Sequence, residues 1–435
     1  MVDTEYDAIV IGGGSAGLSF ARHAADLGAK VALIERAELG GTCVNRGCVP
    51  KKMLWTMADA LHRSAGLTRA GLLGPVPQVD LARFCAARGD KLESIRQSYR
   101  DKLREAGVTL IEDTAELTAP GEVTISGQRL HAPRVVLATG GRPVKPDMEG
   151  AELACDSDAV LNWTALPRDM AIIGGGYIGC EMAAIHAALG VRVTLVTDTD
   201  RVLTEFSEPA ANVGQANMVA QGIRIITGCT PEAVRKGEHG LELVLDAETS
   251  LKVEKVVAAT GRAPNLEALG DLKERVALTE KGVVKVDESF ETSLPGLHAV
   301  GDCADRLPLT PVASSDGETL ARQLFGAHRP PVELRHVAIT AFILPPVAEV
   351  GQPAKEAIFE GNALAPLSAA LRADAPQDYY GLGGSEQAVT SVSLVAEGAH
   401  EAIAWAAQML LHRPDRDSMR RALGVHPSTS EEAMG

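Results

Sequence analysis

The residues best placed for chemistry are two cysteines separated by four residues. Cys43 and Cys48 lie within the stretch GGTCVNRGCVPKK, residues 40–52. Two thiols this close in sequence can pair with each other, and a disulfide that forms and breaks in a reducing compartment is usually catalytic. A zinc site and two unreactive thiols are the alternatives, but no second cysteine pair or histidine cluster lies nearby to supply the other zinc ligands. We therefore expect a redox-active thiol pair and no metal.

A glycine-rich turn that suits nucleotide phosphates occurs twice, 162 positions apart. Each copy begins with an apolar run, Ala8 to Ile11 or Ala171 to Ile173, and continues into an alanine-rich segment. In such a turn the first glycine permits the tight bend, the second admits a pyrophosphate, and the third lets the helix pack on the strand. One copy could arise by accident, but two complete units favour two dinucleotide-binding domains. The glycines are Gly12, Gly14 and Gly17 in the first copy and Gly174, Gly176 and Gly179 in the second.

The elements around each turn repeat as well. Each helix is expected to end at a glycine, Gly28 or Gly190, and a β-rich run follows each one. Glu35 closes the first of these runs, about 20 residues beyond the turn, where a carboxylate can accept hydrogen bonds from both ribose hydroxyls. A later apolar segment ending in Thr-Gly predicts one further buried strand per copy, at residues 135–140 and 256–261.

The C-terminal region carries neither glycine motif. A strand-like stretch at Val389 to Val395 and an amphipathic helix around Glu401 to Leu411 predict a separate α+β domain there. The expected fold is therefore α/β, with two Rossmann-like dinucleotide-binding domains followed by this α+β domain. The predicted boundaries are 1–145 for the first domain, 146–264 for the second, 265–334 for a segment that returns to complete the first, and 335–435 for the last.

Length, composition and charge exclude several other classes of protein. The 435 residues suffice for roughly two to four domains, and 46 % hydrophobic with 23 % charged residues is ordinary for a folded chain. A net charge of −15 repels nucleic acid, and 3 % aromatic residues leave few groups to stack on bases. Seven sparse cysteines are typical of a reducing compartment, and no stretch approaches about 18 consecutive apolar residues. We expect a cytoplasmic protein with no membrane span and no nucleic-acid partner.

The cysteine stretch resembles the redox centre of the pyridine nucleotide-disulfide oxidoreductases, and within that family it is most similar to glutathione reductases. Lipoamide dehydrogenases usually carry serine where Lys51 stands. Lys51, Lys52 and the stretch LTPVA therefore argue against the alternative of a dihydrolipoyl dehydrogenase. The resemblance runs from Tyr6 to Glu432. Its other segments are GGGYIGCE (174–181), GRAPN (261–265), AVGD (299–302), LTPVA (309–313) and HPSTSEE (426–432).

The resemblance implies FAD on the first unit, with Glu35 at its ribose and Asp302 near its ribityl chain. It implies that Cys48 is the thiolate against the isoalloxazine and that Cys43 is the outer thiol, which attacks the substrate disulfide. Lys51 is implied to lie by flavin N5. The other residues implied to contact FAD are Gly12, Gly14, Ser15, Gly17, Gly41, Thr42, Thr139, Gly140 and Thr310.

The resemblance implies NAD(P)H on the second unit. Tyr177 is expected to cover the nicotinamide pocket and to move away when the nucleotide arrives. The resemblance also implies that Glu181 pairs with Lys51, which would prevent an uncompensated buried charge that costs on the order of several kcal/mol. The residues implied to contact NAD(P)H are Gly174, Gly176, Tyr177, Gly179, Asp198 and Gly261.

Of the two reduced nucleotides, NADH is the expected one. Counted from the first glycine of each turn, Thr197 stands where Glu35 stands, so the ribose carboxylate is displaced to Asp198. Glutathione reductases usually carry arginine at the positions of Asp198 and Thr204, where it binds the 2′-phosphate of NADPH. A carboxylate about 4 Å from that phosphate costs roughly 4 kcal/mol at an effective dielectric of about 20. Arg201 could still reach a 2′-phosphate.

A thiolate nucleophile needs a base, and the departing thiol needs a proton. A histidine paired with a carboxylate supplies both functions, and His426 with Glu431 is the candidate. Ser428 to Glu431 is also a capping-box pattern that would merely start a helix. The His-Pro ahead of it, in a chain with a redox cysteine pair, favours the catalytic interpretation. In the resembled family the base comes from the partner subunit, so the resemblance implies a homodimer that uses its C-terminal domain for dimerisation.

The substrate is expected to be a low-molecular-weight disulfide. Arg22 and Tyr99 match residues that line the disulfide site of the family. Glu318 stands where an arginine normally binds a glutathione carboxylate, and this exchange should repel glutathione disulfide. The alternative is that Glu318 is an ordinary acidic residue at the start of a helix over Gly317 to Phe325.

Together these features predict an FAD-dependent reductase that passes electrons from NAD(P)H through the Cys43–Cys48 disulfide to a small disulfide. The alternative from a different class is a catalytically silent nucleotide-binding sensor that kept the fold. The presence of all six dispersed catalytic residues argues against that alternative. These residues are Cys43, Cys48, Lys51, Glu181, His426 and Glu431.

Overall fold

The fold is that of a computed structural model, which describes residues 4–238, 240–351, 359–361, 371 and 377–421. The chain divides into two compact units. The first contains the residues up to 52 together with 82–143 and 262–332, and the second contains 53–81, 144–261 and the residues from 333 onward. Among the helices that the structure describes, none is long and apolar enough to cross a bilayer.

A five-stranded parallel sheet forms the centre of the first unit. All four residues of the strand Ala8–Ile11 are buried, as expected for a parallel sheet that is covered on both faces. Ala8 and Val10 belong to one apolar cluster, and Ile9 and Ile11 belong to another, so alternate residues supply the cores on opposite faces. In order across the sheet the strands are Leu297–Ala299, Val135–Leu137, Ala8–Ile11, Val31–Ile34 and Thr109–Ile111.

Helices and two smaller sheets complete the first unit. Within the central parallel sheet, Ile9 lies opposite Ala32 on one neighbouring strand and opposite Val135 on the other. The helices that lie wholly or partly in this unit are Ser15–Asp26, Gly41–Asn45, Cys48–Arg69, Leu81–Glu105 and Thr310–Phe325, with 3-10 turns at Glu267–Glu274 and Gly301–Cys303. The smaller sheets are Thr4–Glu5, Gln128–His131, Glu122–Ile125 and Ala115–Ala119, and the pair Gly141–Pro143 with Arg262–Pro264.

The second unit repeats the parallel arrangement. Ile172 lies opposite Leu195 and Val257 in register, and the central strand is buried except at its first residue. In order across the sheet the strands are Cys155–Asp156, Lys255–Ala258, Asp169–Ile173, Arg192–Val196 and Arg224–Ile226. The helices are Ser157–Val160, Tyr177–Ala188 and Glu208–Ala220, and a three-stranded antiparallel sheet is formed by Ala233–Gly237, Gly240–Val244 and Ser250–Val253.

An antiparallel sheet follows in the C-terminal part of the second unit. Glu349 lies opposite Ser393 in its central strand pair. In order the strands are Ile339–Ala341, Val347–Gly351, Ala388–Val395, Tyr379–Ser385 and Phe359–Gly361. The helices are Ala399–Leu410 and Arg416–Arg420, and 3-10 turns occur at Leu334–His336 here and at Ala151–Leu153 earlier in the unit.

The predicted α/β fold with two Rossmann-like units is confirmed. Both helices that follow the glycine turns end where expected, since Gly28 and Gly190 adopt positive φ angles of 91° and 92° just beyond them. One local expectation is wrong. The helix that carries Glu318 begins at Thr310 rather than at Gly317, so Glu318 lies in its middle and is not an N-terminal acid. The four predicted domain boundaries stay predictions.

Candidate redox site and nucleotide-binding turns

The first glycine turn brings a helix close to the end of a strand. A Cβ atom on Gly17 would lie 1.9 Å from the carbonyl oxygen of Gly12, so no larger residue allows this approach. Glu35 ends the neighbouring strand, and its carboxylate accepts the N–H of Gly13 at 2.6 Å. The structure therefore places the predicted ribose carboxylate directly beside the predicted phosphate turn.

A cavity lies beside this turn, at the carboxyl edge of the parallel sheet, where α/β folds bind ligands. One of its walls is closed by two hydrogen bonds. The Thr139 hydroxyl donates to the carbonyl of Asn265 at 2.5 Å, and the Asn265 amide donates to the carbonyl of Thr139 at 3.0 Å. A glycine turn, a ribose-type carboxylate and a lined cavity fit a dinucleotide such as FAD. The lining residues are Ile11, Gly12, Ile34, Glu35, Arg36, Asp113, Thr114, Ala115, Glu116, Thr139, Asn265, Glu267 and Ala268.

Asp302 is a second polar group that fits a bound dinucleotide. Burial raises the pKa of the Asp302 carboxyl, and the charge of Arg262 offsets only part of this effect. The Arg262 guanidinium donates to the carbonyl of Gly141 at 2.6 Å and to the Thr42 hydroxyl at 3.5 Å. A buried carboxyl group gains most from a ligand that offers hydroxyl donors, as the ribityl chain of FAD does.

The loop between the two cysteines is held tightly. Cys43 lies in the short helix Gly41–Asn45, and a Cβ atom on Gly41 would lie 2.8 Å from the Cα of Gly14, so the loop packs against the glycine turn. The buried Asn45 amide donates to the carbonyls of Leu39 and Gly41, each at 3.0 Å. These contacts fix the backbone that carries Cys43 against the same turn that fits the dinucleotide.

Two features stabilise negative charge on the Cys48 sulfur. Cys48 is the first residue of the helix Cys48–Arg69, and helix N-termini favour anions. The hydroxyl of Thr310 lies 3.6 Å from the Cys48 sulfur, and Thr310 itself begins the helix Thr310–Phe325. The sulfur therefore lies by the starts of two helices, with a hydroxyl within hydrogen-bonding distance.

Cys43, in contrast, tends to keep its proton. No disulfide links the two cysteines in the structure, and the hydrogen bond to the neighbouring Cys48 sulfur raises the pKa of Cys43 far above its ordinary value. Burial and the charge of Cys48 raise this pKa further, whereas hydrogen bonds to Thr310 and Ser15 lower it in part. These contacts favour the proton on Cys43 when the pair is reduced, which leaves Cys48 as the sulfur favoured to carry negative charge.

Tyr99, one of the two predicted substrate residues, lies within electrostatic reach both of Cys43 and of the other, Arg22. Burial raises the pKa of the Tyr99 hydroxyl, the charge of Cys43 raises it further, and Arg22 lowers it. Tyr99 and Arg22 are both half-buried. The structure therefore brings together the predicted nucleophile and the predicted substrate residues within the first unit.

Glu318 is engaged by cationic side chains of the same unit. Its carboxylate accepts from Arg322 at 2.9 Å and from Arg329 at 3.1 Å, and it lies 4.0 Å from His23. The hydrogen bond from Arg322 leads the contributions that lower the pKa of Glu318. The negative charge of Glu318 is therefore partly compensated by the guanidinium groups of Arg322 and Arg329, which both donate hydrogen bonds to it.

The second glycine turn has the geometry of the first. A Cβ atom on Gly179 would lie 2.0 Å from the carbonyl oxygen of Gly174, which is the same close approach of helix to strand. The carbonyl of Gly261 accepts the N–H of Val144 at 3.0 Å. Both turns therefore share the arrangement that admits a pyrophosphate at a helix N-terminus.

The residues predicted to distinguish NADH from NADPH lie after the next strand of this unit, Arg192–Val196. Thr197 is buried, with its hydroxyl 2.8 Å from that of Thr199, whereas the Asp198 side chain is exposed. Arg201, considered above as a possible partner for a 2′-phosphate, donates instead to backbone carbonyls. The acceptors are Val202 at 3.3 Å, Leu203 at 3.0 Å and Phe206 at 3.2 Å.

For several predicted site residues, the described contacts do not show whether they have their predicted partners. Glu181 is buried and accepts the N–H of Phe342 at 2.9 Å, while its predicted partner Lys51 belongs to the other unit. The pairing of these two residues and the covering role of Tyr177 stay predictions. His426 and Glu431 lie outside the described residues.

The contacts that three residues make in the site were not anticipated from the sequence. Thr310 was expected at the flavin, and its hydroxyl contacts the Cys48 sulfur. Asn45 lies inside the cysteine stretch, but nothing in its type showed that it would hold the loop. Glu205, whose carboxylate accepts the N–H of Tyr177 at 3.3 Å, follows no motif that could have singled it out.

Comparisons with known proteins agree with this geometry. The family model described as pyridine nucleotide-disulphide oxidoreductase matches residues 6–317. A glutathione reductase from Burkholderia cepacia is 34 % identical over 98 % of this chain and 97 % of its own length. A glutathione reductase from a Nostoc species is 32 % identical over 98 % of both chains. The solved structure of the HOCl-induced flavoprotein disulfide reductase RclA from Escherichia coli, a Cu(II) complex, superposes with a TM-score of 0.87 at 24 % identity, covering 100 % of this chain and 98 % of that one.

The chain belongs to the pyridine nucleotide-disulfide oxidoreductase family. It is accordingly an FAD-dependent disulfide reductase that uses NAD(P)H, as the sequence predicted. The family assignment fixes the class of reaction and leaves the individual disulfide open.

Proposed function

We propose that this chain is an NADH-dependent reductase of a low-molecular-weight disulfide and that Cys43 and Cys48 carry its thiol chemistry. The observation that carries the proposal is the asymmetry of the two sulfurs. Cys48 lies at two helix starts beside the Thr310 hydroxyl, and Cys43 retains its proton. A pair with this asymmetry has one stabilised thiolate and one nucleophile that a base must activate.

Each residue then has a distinct task. FAD, held at the first glycine turn, would supply the electrons, taken from NADH, that reduce the Cys43–Cys48 disulfide. His426, supported by Glu431, removes the proton of Cys43, whose thiolate attacks one sulfur of the substrate disulfide. The other substrate sulfur leaves and takes that proton from His426. The Cys48 thiolate then attacks Cys43, which releases the second substrate thiolate to be protonated from water and restores the intramolecular disulfide, so two electrons have moved to the substrate.

The other proposed contacts hold the cofactors in place. Glu35 would accept hydrogen bonds from the ribose hydroxyls of FAD, and Asp302 would accept them from its ribityl hydroxyls. Lys51, whose proposed partner is Glu181, would stabilise the reduced flavin, and Tyr177 would cover the nicotinamide pocket. The remaining contacts that we propose for FAD are Gly12, Gly14, Ser15, Gly17, Gly41, Thr42, Thr139, Gly140 and Thr310, and those for the nicotinamide nucleotide are Gly174, Gly176, Gly179, Asp198 and Gly261.

The positions of two side chains support the preference for NADH. The exposed Asp198 carboxylate opposes a 2′-phosphate, and Arg201 is occupied by three backbone carbonyls. NADPH would therefore meet repulsion without a compensating cation from Arg201.

Glutathione disulfide is a poorer substrate than its use by the named relatives suggests. At Glu318 the guanidinium groups of Arg322 and Arg329 donate to the protein's own carboxylate, so this position offers no arginine of its own to a substrate carboxylate. Arg22 and Tyr99 are proposed to bind a disulfide whose ends do not need that contact.

A cytoplasmic homodimer is the proposed form of the enzyme. The second subunit brings His426 to Cys43, and the C-terminal region forms the interface. Trp405, on the helix Ala399–Leu410, is 78 % exposed, and tryptophan is enriched at protein interfaces. The seven cysteines are few for a chain of 435 residues, which agrees with a reducing compartment.

Steady-state assays on the FAD-loaded enzyme test the proposal. The panel contains glutathione disulfide, cystine, cystamine and bis(2-hydroxyethyl) disulfide with NADH or NADPH, and dihydrolipoamide with NAD⁺. We expect turnover of at least one disulfide with NADH, and loss of that turnover in both Cys43→Ser and Cys48→Ser. Cys85→Ser is the matched control, because Cys85 lies outside the redox loop. Oxidation of dihydrolipoamide as the only activity would contradict the proposal.

A further inference from the structure

A carboxylate of the protein occupies the phosphate turn of the second unit. The N–H of Tyr177, the first residue of the helix Tyr177–Ala188, donates to Glu205 Oε1 at 3.3 Å. The same oxygen lies 2.8 Å from the position that a Cβ atom on Gly176 would take. Glu205 therefore fills space that the second glycine of the motif leaves open.

The loop that carries Glu205 is anchored on both sides. The N–H of Leu203 donates to the carbonyl of Gly175 at 2.8 Å, which ties the loop to the glycine turn. Arg201 donates to the carbonyls of Leu203 and Phe206 and braces the loop from within. The position of Glu205 at the turn thus follows from the backbone around it, while its exposed side chain is free to rotate into solvent.

An anion at this place affects the bound nucleotide directly. In the proposed function the pyrophosphate of NADH lies at this helix N-terminus, where backbone N–H groups and the helix dipole favour negative charge. A carboxylate and a pyrophosphate cannot both accept the Tyr177 N–H, and like charges at this separation repel each other. Nucleotide binding therefore requires that the Glu205 side chain leave the turn.

We propose that Glu205 is a specificity-determining residue of the nucleotide site, which competes within the molecule against the pyrophosphate of the incoming nucleotide. This inference rests on the proposed function, because it requires the nucleotide to bind at the second glycine turn. Glu205 weakens the binding of ligands that have a diphosphate bridge. It has less effect on the binding of nucleotides that carry a single phosphate on the ribose.

Calorimetric titration of the FAD-loaded enzyme tests this competition. The variants are Glu205→Gln and Glu205→Ser, and Glu208→Gln is the control because it removes an exposed carboxylate three residues further on. The probes are ADP-ribose, which has the diphosphate bridge, and AMP, which lacks it. We expect the Kd of ADP-ribose to fall about three- to tenfold in either Glu205 variant, which corresponds to roughly 0.7–1.4 kcal/mol, with little change for AMP or in Glu208→Gln. The gain should shrink as ionic strength rises.

The possible results distinguish the role of Glu205 from the nucleotide site itself. An unchanged Kd for ADP-ribose in the Glu205 variants, or an equal gain for AMP, overturns the role of Glu205 while the proposed nucleotide site stands. A wild-type enzyme that binds neither NADH nor ADP-ribose overturns the nucleotide site and the inference together. Flavin content and circular dichroism of each variant show that the fold is intact, and two substitutions of different size guard against the failure of one.

Discussion

At the scale of single residues, the reaction depends on how one proton is shared between two sulfurs. The hydrogen bond to Cys48 and burial favour the proton on Cys43, and the Thr310 hydroxyl lies 3.6 Å from the Cys48 sulfur, where it can donate to a thiolate. The nucleophile of the proposed reaction is therefore the sulfur that ionises less readily. This arrangement requires a base, and the sequence offers His426 for that task.

Replacing the base should change both the rate and its dependence on pH. We expect His426→Ala to lower kcat about 10²–10⁴-fold, as for the loss of a positioned general base. Because the pKa of Cys43 is raised, its thiolate fraction at neutral pH is small and grows about tenfold per pH unit. The residual activity of the variant should therefore rise steadily with pH, as stopped-flow or steady-state rates across a pH series would show. A flat profile with wild-type kcat would show that His426 is not the base.

The charge at Asp198 should set the choice of nucleotide. We expect Asp198→Ser to improve kcat/KM for NADPH relative to NADH by about tenfold, or roughly 1.4 kcal/mol, because it removes repulsion of the 2′-phosphate. Asp200→Ser is the matched control, since Asp200 is a second exposed carboxylate nearby. A wild-type enzyme that already prefers NADPH tenfold or more would refute the assignment.

The charge at Glu318 should affect anionic substrates selectively. Glu318→Gln removes a negative charge and releases Arg322 and Arg329, so we expect KM for glutathione disulfide to fall about two- to fivefold. KM for the neutral bis(2-hydroxyethyl) disulfide should stay unchanged. An equal effect on both disulfides would mean that the substitution acts through the helix and not through charge.

At the scale of elements, two strand, turn and helix units position everything else. Their strands, glycine turns and helix ends were predictable, because apolar runs, close backbone approach and positive φ angles each demand particular residue types. The contacts that cross between elements were not predictable. The start of the helix at Thr310 and its contact with Cys48 depend on a sequence separation of 262 residues, which local patterns do not encode. Glu205 likewise lies 28 residues from the N–H that it accepts.

A single methyl group should disrupt the first unit. In Gly17→Ala the new Cβ would lie 1.9 Å from the carbonyl oxygen of Gly12, so we expect a loss of about 1–3 kcal/mol in the free energy of unfolding and weaker FAD binding. Gly89→Ala is the matched control, because Gly89 is an exposed helical glycine at which a Cβ atom would have no neighbour within 4 Å. This variant should gain roughly 0.5–1 kcal/mol in the free energy of unfolding. Chemical denaturation and flavin release measure both effects. Equal stability of the two variants would contradict the close approach.

At the scale of the whole molecule, the proposed enzyme is complete only as a pair of subunits. The redox cysteines and the proposed base are separated by almost the full length of the chain, and the family resemblance assigns them to different subunits. The sequence could suggest this arrangement only through that resemblance, because no local pattern shows which copy of His426 meets Cys43.

Mixing two inactive variants tests the shared site. Cys43→Ser and His426→Ala homodimers should each have little activity, whereas denaturing and refolding an equal mixture should restore about a quarter of the wild-type rate. This fraction follows because half of the dimers are mixed and one of their two sites is intact. Sedimentation analysis of each sample confirms the dimer. No recovery from well-folded mixed dimers would place the base and the nucleophile in the same subunit.

The most direct test of the central claim, that Cys48 is the thiolate at the flavin and Cys43 the outer nucleophile, is an anaerobic absorbance titration of the FAD-loaded enzyme with NADH. Wild type should develop a long-wavelength thiolate-to-flavin band on reduction, and Cys43→Ser should show that band before any reductant is added. Cys48→Ser should not show it at any stage. A band that persists in Cys48→Ser, or a purified protein that does not bind FAD, would contradict the account.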